Sequence, residues 1–131
     1  MTGEAVPIRV ESDVIVARQL VRRLACDLGF SLVDQTKLVT AASELGRNVV
    51  RYGKGGEMRW EALRYGGRTG LRLVFEDQGP GIPDLALAMT DGWTSGNGLG
   101  MGLSGAKRLA SEFDIWTEVG KGTRVTIARW K

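Results

Sequence analysis

From Gln78 to Gly102 the chain holds seven glycines and two prolines, with only short apolar stretches between them. Backbone this rich in glycine does not sustain a long regular element, so the fold must be built from what lies on either side. Loops of this length are unusual in a compact domain, and where they occur they tend to carry function. One turn of helix near Asp84 to Met89 is expected inside it. With 131 residues, 43% of them hydrophobic, the chain can bury one core, and a single domain over 1–131 is expected.

Ahead of the loop, residues 6–11 read as a strand. Ser12 or Asp13 can then cap a helix with apolar positions Val14, Ala17, Val21, Leu24 and Leu28, which Gly29 ends. Ser31 and Asp34 resemble a capping box for a second helix running to about Tyr52, roughly 30 Å long, with Gly53 as its cap. Its apolar stripe is Leu38, Ala42, Leu45, Val49 and Tyr52. Glu57 to Tyr65 and Gly70 to Glu76 read as strands joined at Gly66-Gly67, the first breaking alternation at Ala62-Leu63 through a bulge or through burial on both faces. After the loop come a helix with Leu103, Ala106 and Ala110 on one face, then strands Phe113 to Val119 and Thr123 to Trp130. The order β-α-α-β-β-loop-α-β-β predicts a two-layer α/β (α+β) sandwich, a mixed, mainly antiparallel sheet with helices on one face.

Composition excludes several chemistries. The chain has no histidine, which removes Ser-His-Asp and Cys-His catalysis and histidine-based zinc sites. A net charge of +3, with Arg22-Arg23 and Lys107-Arg108 the only adjacent basic pairs, lacks the dense basic stripe of a nucleic-acid binder. Cys26 is the single cysteine, expected to be a small buried hydrophobe in a reducing cytoplasm. No signal peptide and no membrane span are expected.

Three elements remain to carry chemistry. Glu44, Asn48 and Arg51 stack at spacings of four and three on the second helix, within reach of one ligand, although such a stripe alone is ordinarily a solvated face. Asp77-Gln78-Gly79-Pro80-Gly81 follows an apolar strand. There an aspartate can accept from an exocyclic amine while glycines let backbone approach a planar ring; alone, the pentapeptide is equally a tight turn. Gly96 to Gly102 runs into a helix, and closely spaced glycines before a helix N-terminus offer N–H groups to phosphate. Gly100 to Gly105 also matches G-x-G-x-x-G, with Glu118 downstream, but it follows a polar loop rather than a strand, so a dinucleotide fold does not fit. No G-x-x-x-x-G-K-[ST] sequence is present.

Together, in this order and spacing, the three elements resemble the GHKL ATPase superfamily. Glu44-Leu45-Gly46-Arg47-Asn48 is similar to its N-box, Asp77 to Gly81 to its first glycine box, and Gly98 to Gly102 to its second. Gly122-Thr123 is similar to the segment whose threonine returns toward the adenine site. Asn48 to Gly56, Asp77 to Ile82, and Gly102 to Leu109 followed by Glu112-Phe113 further resemble the RsbT-type serine/threonine kinases of bacterial stress signalling. Two departures are Gly46, where a better helix former is expected, and Met101 in place of a leucine.

The resemblance implies a kinase using ATP and Mg2+. Glu44 would be the general base, Asn48 the magnesium ligand and Arg51 a phosphate contact. Asp77 would read the adenine amine with Thr123 nearby, Gly79 and Gly81 would admit the base, and Gly98, Gly100 and Gly102 would close over the phosphates as a lid. It also implies STAS-domain proteins as substrates and a PP2C-type phosphatase as a switched partner, in the cytoplasm, with no nucleic-acid or membrane partner. Two alternatives are an anti-sigma factor serine kinase, against which Arg51-Tyr52-Gly53 argues where a histidine is expected, and a nucleotide-gated binding module without phosphotransfer. A detached histidine-kinase catalytic domain is a third reading, without a visible dimerisation helix.

Overall fold

The computed structural model describes residues 2–89 and 102–131. The elements are β1 (Val6–Ile8), α1 (Glu11–Asp27), α2 (Leu32–Arg51), β2 (Gly56–Tyr65), β3 (Arg68–Asp77), α3 (Leu85–Ala88), α4 (Gly102–Leu109), β4 (Glu112–Glu118) and β5 (Gly122–Trp130). The strands form one sheet in the order β1-β2-β3-β5-β4. Every pairing between these strands is antiparallel, so the sheet is not mixed as the sequence suggested. β3 lies at its centre, hydrogen-bonded along its length to β2 and β5.

Local chemistry sets the element boundaries. α1 starts at Glu11, earlier than the Ser12 or Asp13 cap predicted, because Asp13 lies inside the first turn and its Oδ2 accepts from the N–H groups of Arg9 (2.8 Å) and Val10 (3.2 Å). Ser31 Oγ accepts from the Asp34 N–H at 3.1 Å and caps α2 as expected. The β2–β3 turn has φ of 58° at Gly66 and 79° at Gly67, the left-handed pair that matches strand twist. β2 holds unbroken register with β3 through Ala62 and Leu63, so the break in alternation is no bulge; both residues are half-buried, one on each face.

Burial follows the pattern of alternating faces. Met58, Leu71, Leu73, Phe75, Val125 and Ile127 point inward, under Val14, Ala17 and Val21 of α1, Leu38, Leu45 and Val49 of α2, and Leu103 and Ala106 of α4. α2 sits between α1 and α4, which buries more of it than one stripe: Val39, Ala41, Ser43, Glu44 and Gly46 are enclosed as well. Gly46 faces Val14, whose Cγ1 would lie 3.3 Å from an added Cβ, so the missing side chain lets the two helices cross closely. Tyr52, predicted on the core stripe, is 39% exposed just past the helix end. Cys26 is exposed, not buried, because it stands one step around α1 from the inward Ala25.

Among the described residues no helix covers the other face of the sheet. Arg59 bridges Glu57 (2.8 Å) and Glu76 (2.9 Å), Arg72 pairs with Glu61 (2.7 Å), and the Arg124 guanidinium lies 5.6 Å from the Trp116 ring centre. The edges are a three-residue β1 and a β4 whose outward positions are Glu112, Asp114, Trp116 and Glu118.

One inward arginine ties three elements together. Arg129 of β5 donates from Nη1 to the Leu109 carbonyl at the end of α4 (2.8 Å) and from Nη2 to Asp34 Oδ1 in the first turn of α2 (2.9 Å). Replacing Arg129 with methionine keeps the apolar stem and deletes both bonds, an expected loss of about 1–3 kcal/mol in urea unfolding. Asp34→Asn keeps an acceptor for Nη2 and should cost less.

Candidate functional site

Asp77, the last residue of β3, carries a carboxylate that is only 8% exposed. Its Oδ1 accepts from the Gly79 N–H at 2.9 Å, and the Thr123 N–H is a second donor. Burial pushes this carboxyl above the ordinary aspartate range, and the nearby Glu76 charge adds to the push, while the two N–H donors pull it back.

The space around Asp77, side chain and main chain, is shaped by residues without side chains. A Cβ on Gly53 would lie 2.4 Å from Asp77 Cγ, and one on Gly122 would lie 2.1 Å from the Asp77 carbonyl oxygen. The cap expected at Gly53 falls on Tyr52, and Gly53 is not in the left-handed conformation. That conformation falls on Lys54 and Gly55 (φ 62° and 96°), while the Tyr52 and Gly53 N–H groups both donate to the Asn48 carbonyl. What Gly53 supplies is room for Asp77.

Thr117 joins the two turns that frame this pocket. Its Oγ1 accepts from the Ile82 N–H (2.9 Å), donates to the Gly122 carbonyl (3.1 Å) and lies 3.0 Å from Thr123 Oγ1. A hydroxyl has one proton, and with Thr117's given to Gly122, Thr123 is the donor between the two threonines. The Gly120 N–H donates to the Pro80 carbonyl at 2.8 Å, a second link between the same turns. Gly79 and Gly81 pack against backbone here, Gly79 on Gly53 and Gly81 on the Glu118 carbonyl.

One helix turn separates Glu44 from Asn48 on α2. Glu44 is 8% exposed; its Oε1 receives the Arg47 guanidinium at 2.5 Å, and its Oε2 lies 3.4 Å from the N–H of Gly102, the first residue of α4. The structure thus brings Glu44 together with Gly102, and Asp77 together with Gly79 and Thr123. The two groups are joined through Asn48, whose carbonyl holds Gly53 against Asp77. Arg51 stands apart: it is half exposed, with Nε 3.3 Å from Glu11 on α1. Gly98 and Gly100, and the predicted lid with them, lie outside the described residues.

The sequence reading singled out neither Thr117 nor Arg47, and it gave Gly53 the wrong role. Thr117 was readable as the cross-strand partner of Thr123 on the two sides of one turn. Arg47 was visible only as a letter inside a motif, and Gly53 needed the third dimension, since its neighbour Asp77 is far along the chain.

The described residues place a buried strand-end aspartate in a glycine frame, with a carboxylate and an amide on the adjoining helix. The chain belongs to the family of histidine kinase-, DNA gyrase B- and HSP90-like ATPases, whose sequence pattern matches residues 33–131. Within that family it is a homologue of the serine/threonine-protein kinase RsbT of Bacillus subtilis (strain 168), 45% identical over 125 residues that cover 95% of this chain and 94% of the relative. The likeness to RsbT thus extends over α1, which lies ahead of the family pattern. The fold is shared with one third of a chain that holds the RsbU and RsbW domains of a Mycobacterium tuberculosis protein (TM-score 0.64, 20% identity, 98% of this chain and 33% of that one). It is also shared with the mycobacterial sensor histidine kinase MprB (TM-score 0.57, 21% identity, 97% and 96%).

The raised Asp77 pKa has a measurable consequence. A carboxyl lifted by folding weakens the fold once it ionises, a penalty present in full above its folded pKa and absent below its unfolded one. Asp77→Asn should therefore be at least as stable as the parent at neutral pH in thermal denaturation, with the gap closing as the pH falls through the carboxylate range. A gap that widens on acidification would contradict the assignment. The same variant is expected to lose ATP binding.

Proposed function

We propose that this chain is an ATP-dependent protein serine/threonine kinase of the RsbT type, acting on STAS-domain proteins and switching between them and a PP2C-type phosphatase. The observation that carries the reading is Glu44, a buried carboxylate on a helix that otherwise buries apolar and small residues, in a chain homologous to a protein kinase. Carboxylates are rarely enclosed, and one enclosed beside a helix amide and a glycine loop is a candidate for chemistry.

In this reading Asp77 accepts from the adenine amine, with Thr123 beside it and Gly79 and Gly81 lining the base. Gly98, Gly100 and Gly102 follow the phosphates, so their ordering depends on nucleotide. Transfer forms a bond between a substrate hydroxyl oxygen and the γ-phosphorus. The bond from phosphorus to the bridging oxygen breaks, its electron pair leaving on ADP, and the hydroxyl proton passes to the Glu44 carboxylate. Arg51 would have to leave Glu11 to reach a phosphate.

The donor set fits a magnesium ion that arrives with the nucleotide. Among the described residues no group of three or more His, Cys, Asp or Glu side chains is placed to hold a metal, whereas the Asn48 amide oxygen is a hard ligand of the kind magnesium takes alongside phosphates and water. When bound, magnesium neutralises phosphate charge. Among the described residues no helix is long and apolar enough to cross a membrane.

Incubation with Mg-ATP and the STAS proteins encoded nearby should place phosphate on serine or threonine, and Glu44→Ala should slow transfer about a hundred- to ten-thousand-fold. Transfer undiminished by that substitution removes Glu44 as the base. Nucleotide binding without any transfer leaves a nucleotide-gated binding module instead.

A further inference from the structure

Arg47 stands three residues after Glu44 and one before Asn48, and its guanidinium is bonded to the carboxylate assigned as the base. The pair is graded in depth, with 11% of the Glu44 side chain exposed and 32% of the Arg47 side chain. The arginine is therefore the outer member, toward the solvent from which a nucleotide and a protein hydroxyl arrive. Glu44 in this state is poorly disposed to act: Arg47 holds Oε1, and Oε2 faces the Gly102 N–H. A base must be within hydrogen-bond reach of the hydroxyl whose proton it takes, and here the more exposed guanidinium lies against Oε1.

A terminal phosphate competes well for that arginine. Guanidinium binds phosphate in the same forked geometry as carboxylate, and a γ-phosphate brings more charge than one carboxylate. Arg51, the other arginine on this side of α2, is engaged with Glu11 on α1. Resting on the kinase reading above, we propose that Arg47 is a ligand of the γ-phosphate that Glu44 holds in reserve. ATP draws the guanidinium off Oε1, and this one movement does two things. It places a positive charge against the phosphoryl group being transferred, and it frees the Glu44 carboxylate for the substrate hydroxyl. ADP lacks the γ-phosphate and leaves the pair closed. The base is thus available only when there is a phosphoryl group to transfer.

The test compares two nucleotides on the whole chain by calorimetry with Mg2+ present: ADP, and an ATP analogue with a non-hydrolysable imido bridge between the β- and γ-phosphorus. Arg47→Ala is expected to weaken the analogue about 10- to 100-fold and ADP less than about twofold. Arg47→Lys, which keeps the charge without the fork, should fall between. Normal ADP binding by the variant shows that it is folded. Equal loss for both nucleotides, or loss for neither, overturns the role of Arg47 and leaves the kinase reading standing. A parent chain that binds neither nucleotide overturns the kinase reading and this inference with it.

Discussion

Asp77 closes the central strand of the sheet, and the conformations of three other segments answer to its buried carboxyl. The chain after α2 must present Gly53, the turn after β3 must offer the Gly79 N–H, and β5 must begin with Gly122 and Thr123. A carboxylate removed from water needs donors and tolerates no crowding, and backbone N–H groups beside glycines meet both conditions. Thr117 and the Gly120 to Pro80 bond then fix the two turns to each other. The frame around Asp77 is held by the same hydrogen bonds that terminate the sheet.

The surroundings of Glu44 are organised differently. They depend on α2, a helix packed between α1 and α4 so that its spacing in sequence becomes a fixed spacing in depth: Leu45 inward, Glu44 at the rim of the core, Arg47 farther out. Gly46 permits this by letting Val14 of α1 come close. The residue that lowers helix propensity is the one that lets the helix be buried. Arg129 anchors the far end of α4 to the start of α2, which keeps Gly102 facing Glu44.

Much of this was legible in the sequence. Periodicity located α2 and its neighbours, and Gly66-Gly67 marked the β2–β3 turn. The order of the three motifs brought Glu44, Asn48 and Asp77 into one hypothesis. Local patterns report on neighbours along the chain, however, and the errors lie where the relevant neighbour is distant. Gly53 was read as a cap because it follows a helix, although its partner comes from β3. Cys26 was read as buried because it lies among apolar residues, although a single residue's rotation turns it outward. Arg47 gave no signal of its own, since a motif reports the spacing of Glu44 and Asn48 and not what rests against them.

The uncovered face of the sheet bears on how the molecule behaves at high concentration. A sheet open on one side and unpaired at both edges invites other chains to add strands. Here the edge strand β1 is too short to template much pairing, and β4 sets Glu112, Asp114 and Glu118 along its outward side. The face between them is crossed by paired charges in place of an apolar patch. A second copy approaching this side meets its own charges again, acid on acid along β4. Among the described residues the open half of the sheet is thus guarded against edge-to-edge growth by charge rather than by a covering layer.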